Sequence, residues 1–156
     1  MSADGAGNEP YGTPVVLAEG PFKGWTTWGA GADPFETAIG PLCFRVEDGK
    51  TTSAFQPRRE HLNGAGALHG GALMSFADFS LFSIAHNALV GAKAVTLTCN
   101  CEFLSAGGLD AIVYAEGELL RESRSLVFVR GIVTQAARPL LAFSGTLKKI
   151  ASPPQR

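Results

Sequence analysis

Two groups of residues in this 156-residue chain have types and spacings suited to chemistry. The first is the loop His61-Leu62-Asn63-Gly64-Ala65-Gly66-Ala67-Leu68-His69-Gly70-Gly71, which runs directly into a helical pattern. Glycines at a helix start let a ligand approach the backbone, and the first-turn N–H groups have no intrahelical acceptor. Together with the helix dipole they favour negative charge, either a phosphate or the oxyanion that develops on a carbonyl under attack. The loop lacks the lysine of a G-x-x-x-x-G-K-[ST] phosphate loop and follows no strand of a parallel sheet, which argues against a nucleotide. His69 beside a helix start is as readily a hydrogen-bonding structural residue as a catalyst, and His61 and His86 look more ordinary still.

The second group is a single residue. Asp78 is the only Asp, Glu, Lys or Arg in the 32 residues between Glu60 and Lys93. On a helical wheel it falls inside the apolar arc of Leu73, Ala77, Leu81, Met74, Ala85 and Phe82, opposite Ser75, Ser80, Ser83, His86 and Asn87. Burying a carboxylate without a partner is costly and raises its pKa, and no Arg or Lys stands at i±3 or i±4. Such an acid is a candidate general base; the alternative is a structural carboxylate satisfied by hydrogen bonds or a subunit contact. Gly70 and Asp78 are eight residues apart, which a helix converts into about 12 Å. One carbonyl cannot sit beside both in the same chain. If both act on one carbon, they come from two subunits related by a twofold axis, and the site is composite.

The elements that position these groups follow from the pattern. Leu42 to Val46 and Thr51 to Phe55 read as a hairpin turned by Glu47-Asp48-Gly49-Lys50. Pro34 to Ile39 reads as a short helical turn, and a long helix is expected from about Ala72 to Leu89. A helix so poor in charge is expected to be central and covered all round. Val95, Leu97, Cys99, Cys101 and Phe103 then alternate with Thr96, Thr98, Asn100 and Glu102, the period of a strand. Ala111 to Leu120, Leu126 to Gln135 and Leu140 to Lys149 complete an expected four-stranded antiparallel meander. One helix with antiparallel strands excludes the parallel doubly wound class and leaves an α+β domain whose sheet covers the helix. The expected division is a flexible tail over 1–20, a single domain over 21–149 and a disordered tail over 150–156. Phe22, Trp25 and Trp28 belong to an irregular arm packed by its aromatics, or to a lid over a pocket.

Composition narrows the partners. With 13 Lys+Arg against 14 Asp+Glu, a net charge of -1 and a pI near 6.3, the chain offers no basic stripe for nucleic acid and no polybasic membrane patch. Charged residues make up 17%, where about 25% is usual, and the deficit is concentrated around Asp78. The helix is not read as a membrane span, because a mid-span Asp costs roughly 2.5–3.5 kcal/mol. Residues 1–12 have no signal-peptide pattern. Cys43, Cys99 and Cys101 form no even disulfide framework and no metal-ligand spacing, so a reducing cytoplasm and no metal are expected.

The pattern H-x-N-x-x-G-x-x-H-G-G-x-x-x-x-x-x-D, met by His61, Asn63, Gly66, His69, Gly70, Gly71 and Asp78, resembles the hotdog-fold acyl-CoA thioesterases of the phenylacetate-pathway and human thioesterase-superfamily-member-2 type. The resemblance extends to Pro34-Phe35, Gly40 and Val95 to Ser105, covering roughly residues 34–149. It implies a hotdog fold, with a curved antiparallel sheet wrapped around one long central helix, assembled as homodimers and often homotetramers. It also implies an acyl-CoA thioesterase acting on aryl or medium-chain acyl groups, with coenzyme A entering only as part of the substrate and no other cofactor. In that reading Asp78 activates water or attacks the thioester itself, and the Gly70 N–H polarises the carbonyl. His69 and Asn63 orient groups around it, Thr96 positions water, and Gly71, His61 and Phe82 contact substrate. Two rivals stand beside this reading: a hotdog hydratase or dehydratase, whose D-x-N-P-x-H-type loop is missing, and a silent hotdog protein that binds acyl-CoA.

Overall fold

The computed structural model describes residues 14–28 and 33–150. Asp48 and Gly49 both take positive φ, 51° and 75°, as a two-residue hairpin turn that follows the strand twist requires. They join β3 (Cys43–Glu47) to β4 (Lys50–Phe55), with Glu47 opposite Lys50. Before this hairpin come β1 (Val15–Val16), β2 (Thr26–Thr27) and the short helix α1 (Pro34–Ile39). After it come the long helix α2 (Gly70–Ile84) and the strands β5 (Lys93–Phe103), β6 (Val113–Glu122), β7 (Leu126–Gln135) and β8 (Arg138–Ile150). The eight strands form one sheet in the order β1-β2-β3-β4-β6-β7-β8-β5, antiparallel throughout.

That order corrects the expected meander. β6, β7 and β8 follow one another, but β5 pairs with β8 at the far edge and not with β6. The 15-residue α2 and the loop before it stand between β4 and β5 in the chain, so no tight turn makes these strands neighbours; α2 starts beside Phe103 of β5 and ends with Ile84 against Gly117 of β6. β6, β7 and β8 fill the sheet between β4 and β5.

The wheel reading of α2 is also corrected. Its buried face carries Leu73, Phe76, Ala77 and Leu81 together with Ser80 and Ser83. Ser80 Oγ donates to the Phe76 carbonyl at 2.7 Å, and the Ser83 hydroxyl lies 3.1 Å from the Ser80 carbonyl and 2.6 Å from Ser53 Oγ. Small hydroxyls satisfied this way can face a core. Gly145 and Gly117 make room on the sheet, since a Cβ there would collide with Leu81 and Ile84. The opposite stripe, Gly71, Met74, Asp78 and Phe82, is exposed or half-buried, so α2 is not covered all round within one chain. The helix also begins two residues before the expected Ala72 and ends at Ile84, followed by a 3-10 turn over His86–Leu89.

The arm before α1 is more regular than expected. Val15 and Val16 pair with Thr27 and Thr26, so the flexible tail does not reach residue 20. Phe22 and Trp25 are buried against Cys43 and Ala54, and Trp28 packs on Phe44 and Phe79 at ring distances of 4.7 and 5.4 Å. Aromatic burial of this size holds a short strand pair that hydrogen bonds alone would not. At the other end Ile150 is the last residue of β8, paired with Lys93, and not the first of a tail. Residues 1–13 and 151–156, where the remaining tail expectations fall, lie outside the described residues. Among the described residues no helix is long and apolar enough to cross a membrane.

Candidate active site

Asp78 lies on the open stripe of α2, facing β5. The Thr96 hydroxyl donates to Asp78 Oδ1 at 2.6 Å. Uninterrupted alternation would have put Thr96 on the same face as Thr98, away from the helix. A β-bulge prevents this: Thr96 pairs with Leu147 and Thr98 with Thr146, leaving Leu97 as the extra residue. The single inserted residue flips the strand, so that Ala94 and Thr96 face the helix before it, and Cys99 and Cys101 after it. The expected common face of the two cysteines holds, with Sγ atoms 3.9 Å apart.

Burial pushes the Asp78 carboxyl above the usual carboxylate range, and the Thr96 hydrogen bond pulls it part of the way back. The Cys99 thiol is pushed up to about 12, chiefly by burial, with Cys101 and the Asp78 charge adding to it. Glu36, on α1, is a second acid held above the usual carboxylate range, which the residue pattern did not reveal. Its carboxyl is pushed up to about 7 by burial first, then by the charges of Asp33 and Asp78. An acid in the first turn after Asp33-Pro34 reads as an ordinary partner of the helix dipole. Nothing in the local sequence shows that its Oε2 is buried without a hydrogen-bond partner among the described residues.

The loop residues serve the helix start. His69 is the N-cap of α2, its Nδ1 accepting the Gly71 N–H at 2.8 Å. A Cβ on Gly71 would come within 3.0 Å of that nitrogen, so glycine leaves the ring its place. Among the described residues nothing accepts from the Gly70 N–H, which is free for a ligand. Asn63 Oδ1 accepts from Ala65 and Ala67 N–H at 2.9 and 3.1 Å, closing the loop into a ring that Gly66, at φ 81°, completes. His61 is elsewhere. It is 4% exposed, accepts the Arg58 N–H at Nδ1 (2.9 Å) and donates from Nε2 to the Ile39 carbonyl at 2.7 Å. Both ring nitrogens are spent on tying α1 to the turn before the loop, which leaves neither for a substrate. Phe82 stands one turn beyond Asp78 on the same stripe, half-buried.

Within one chain the donor and the base stay apart. Gly70 lies beside Phe103, whose ring would be 3.3 Å from a Cβ at that position, whereas Asp78 lies beside Thr96. The two halves of the site thus mark opposite ends of β5, whose outer edge pairs with no other described strand. Val95, Leu97, Phe103 and Met74 are exposed along that edge and the adjoining helix face.

Comparison with known proteins bears on the fold and the family. No curated protein sequence matches the chain significantly. Among solved structures, a mutant of the phenylacetic acid degradation protein PaaI from Thermus thermophilus is 28% identical, with a TM-score of 0.64 over 76% of this chain and 100% of that one. PaaI from the phenylacetic acid degradation operon of Escherichia coli has the same fold at 20% identity and TM-score 0.65, over 77% of this chain and 86% of that one. A hypothetical thioesterase from Streptococcus pneumoniae, solved with coenzyme A, is 24% identical with TM-score 0.60, over 69% and 84% of the two chains. The sequence model of the thioesterase superfamily matches residues 65–142, from the loop before α2 into β8. With a single long helix laid across a curved antiparallel sheet, the chain has the hotdog fold and belongs to the thioesterase superfamily.

Proposed function

We propose that this protein is an acyl-CoA thioesterase that hydrolyses an aryl or medium-chain acyl-CoA to the free acid and coenzyme A. The observation that carries the reading is the Asp78–Thr96 pair on the open stripe of α2. A half-buried carboxylate with a raised pKa is suited to take a proton from water. Thr96 occupies Oδ1, leaving the other carboxylate oxygen for that water. The hydroxide adds to the thioester carbon, the oxyanion is held by the Gly70 N–H at the helix start, and the C–S bond breaks to release the thiolate. Direct attack by Asp78 uses the same geometry and passes through a mixed anhydride; in single-turnover hydrolysis in 18O-labelled water, label found in Asp78 identifies that route with the anhydride opened at the aspartyl carbonyl.

The working unit in this proposal is a homodimer. Two β5 edges paired antiparallel about a twofold axis near Cys99 and Asn100 bring Thr96 of one copy opposite Phe103 of the other. Asp78 of one copy then meets Gly70 of the second, which the separation within one chain requires. The exposed apolar edge is suited to such burial. The deciding assay follows coenzyme A release with a thiol-reactive dye across short-chain, long-chain and aryl acyl-CoAs. Turnover that falls at least about a hundredfold in Asp78→Asn supports the reading; binding without turnover of any thioester leaves a silent acyl-CoA binder instead.

A further inference from the structure

The two cysteines of β5 take no part in the reaction outlined above. Cys99 and Cys101 both face α2, with Sγ atoms 3.9 Å apart, and Cys99 is the next helix-facing residue of the strand after Thr96. Both are half-buried against the core. Their spacing does not suit a disulfide. Same-face positions i and i+2 of a strand stand about 6.8 Å apart, whereas the Cβ atoms of a disulfide are about 3.5–4.5 Å apart. It does suit a shared cation, because two thiolates bound to one tetrahedral zinc at about 2.3 Å each are about 3.8 Å from one another. Within one chain no third His, Cys, Asp or Glu completes a set among the described residues. A C-x-C segment supplies two ligands only, which is why spacing alone indicated no metal.

The remaining ligands come with a second copy of the chain. In an antiparallel pair, residues directly opposite one another share a face of the sheet. The twofold axis that sets Thr96 against Phe103 of the other copy lies at Asn100 once the bulged Leu97 is allowed for, and it sets Cys99 against Cys101 of that copy. Opposed Cβ atoms lie about 4.5–5.5 Å apart, so four thiols surround the axis on the side of the two helices. We propose that Cys99 and Cys101 of both copies hold one thiol-seeking divalent cation, of the zinc and cadmium class, per dimer. Thiolate sulfur selects such ions over magnesium or calcium, and a tetrahedral set of four is a closed structural site. The free thiols carry their protons, Cys99 being pushed up to about 12 chiefly by burial, so binding releases protons. The ion ties the two β5 edges together and leaves Asp78 and Gly70 to the substrate. This site rests on the twofold pairing of the proposed function and is independent of its chemistry. Cys43 stays apart, buried in the separate cluster of Phe22 and Trp25 with its Sγ on the Ala54 carbonyl at 3.3 Å.

The test uses the reduced full chain, stripped with a chelator and titrated with Cd2+ alone. The sulfur-to-cadmium charge-transfer band is expected to saturate at one ion per two chains, and light scattering is expected to show the dimer persisting to greater dilution. Free Cd2+ at a hundred times its dissociation constant should lower the dimer dissociation constant about a hundredfold. Cys99→Ser and Cys101→Ser, each checked for a native circular dichroism spectrum, are expected to weaken binding by about a hundredfold or more. Leu97→Glu keeps both thiols but separates the edges, and is expected to lose the shared stoichiometry. A dimer that binds no cadmium, or binds one ion per chain, overturns the site and leaves the pairing intact. So does a band that survives either serine variant. A monomer that stays monomeric with cadmium overturns the site and the pairing together. Thioester hydrolysis enters none of these readouts, so a wild type without turnover counts against the proposed activity alone.

Discussion

The Thr96 hydroxyl donates to Asp78 Oδ1 across 2.6 Å, joining the middle of α2 to the edge strand β5. Because this bond favours the ionised carboxyl, its loss has a signed consequence. In Thr96→Val the Asp78 pKa rises further, so the acid limb of kcat/KM against pH moves to higher pH. Activity on the plateau falls about five- to tenfold, the value of one net hydrogen bond. An acid limb that moves the other way, or not at all, would show that Asp78 is not the titrating base.

Leu97 is 52% exposed at the bulge that re-aims Thr96, on the free edge of the sheet. A charge placed there stays hydrated in a monomer and is desolvated if two edges pair. Leu97→Glu is expected to halve the mass seen by light scattering and to remove thioesterase activity while the circular dichroism spectrum stays that of the wild type. A wild type that is monomeric at working concentration and still active would sink the composite site.

Raised above its usual value of 4.5 to about 7, the Glu36 carboxyl links stability to pH. Between these values the unfolded chain has released the proton and the native chain still holds it. Its contribution is therefore full below about 4.5 and is lost as pH rises towards 7. Glu36→Gln is expected to be more stable than the wild type at pH 8, by on the order of 1 kcal/mol after allowing for partial solvent screening. The advantage should vanish near pH 4.5. Urea denaturation at the two pH values measures it.

Ala136 and Ala137 turn the chain from β7 into β8 with φ of 49° and 62°. A left-handed backbone costs an L-residue with a Cβ roughly 1–2 kcal/mol, and Asn-Gly is the pair that this turn prefers. The double variant Ala136→Asn, Ala137→Gly is expected to raise stability by about 1 kcal/mol or more without altering activity. A lower denaturation midpoint would mean that the alanine methyl groups make contacts worth more than the strain.

Periodicity and turn chemistry told much of this molecule in advance. The Asp48-Gly49 hairpin, the short α1, the strand from Val95 to Phe103 and the loop running into a helix are properties of neighbouring residues, and local physics sets them. The isolation of Asp78 in 32 otherwise uncharged residues was equally plain. That the first-turn donors ahead of the helix were open to a ligand was plain too, whereas His69 as the cap that takes the Gly71 N–H was not. Contacts distant in sequence decided the rest. The wheel could not say which stripe of α2 faces the sheet, since serines bonded to their own helix or to Ser53 pass for apolar residues. The partner of β5 depended on a pairing with β8, at the other end of the folded segment, that no local pattern records. Thr96 faces Asp78 only because one bulged residue reverses the strand, and α1 is tied to the turn before the loop only by a histidine whose two ring nitrogens are both spent on that task. Residue types thus marked where an acid and an anion-binding helix start lie along the chain. Which of their neighbours could support or hold back a proton was settled by tertiary packing, because charge acts through space and registers whatever the fold brings near.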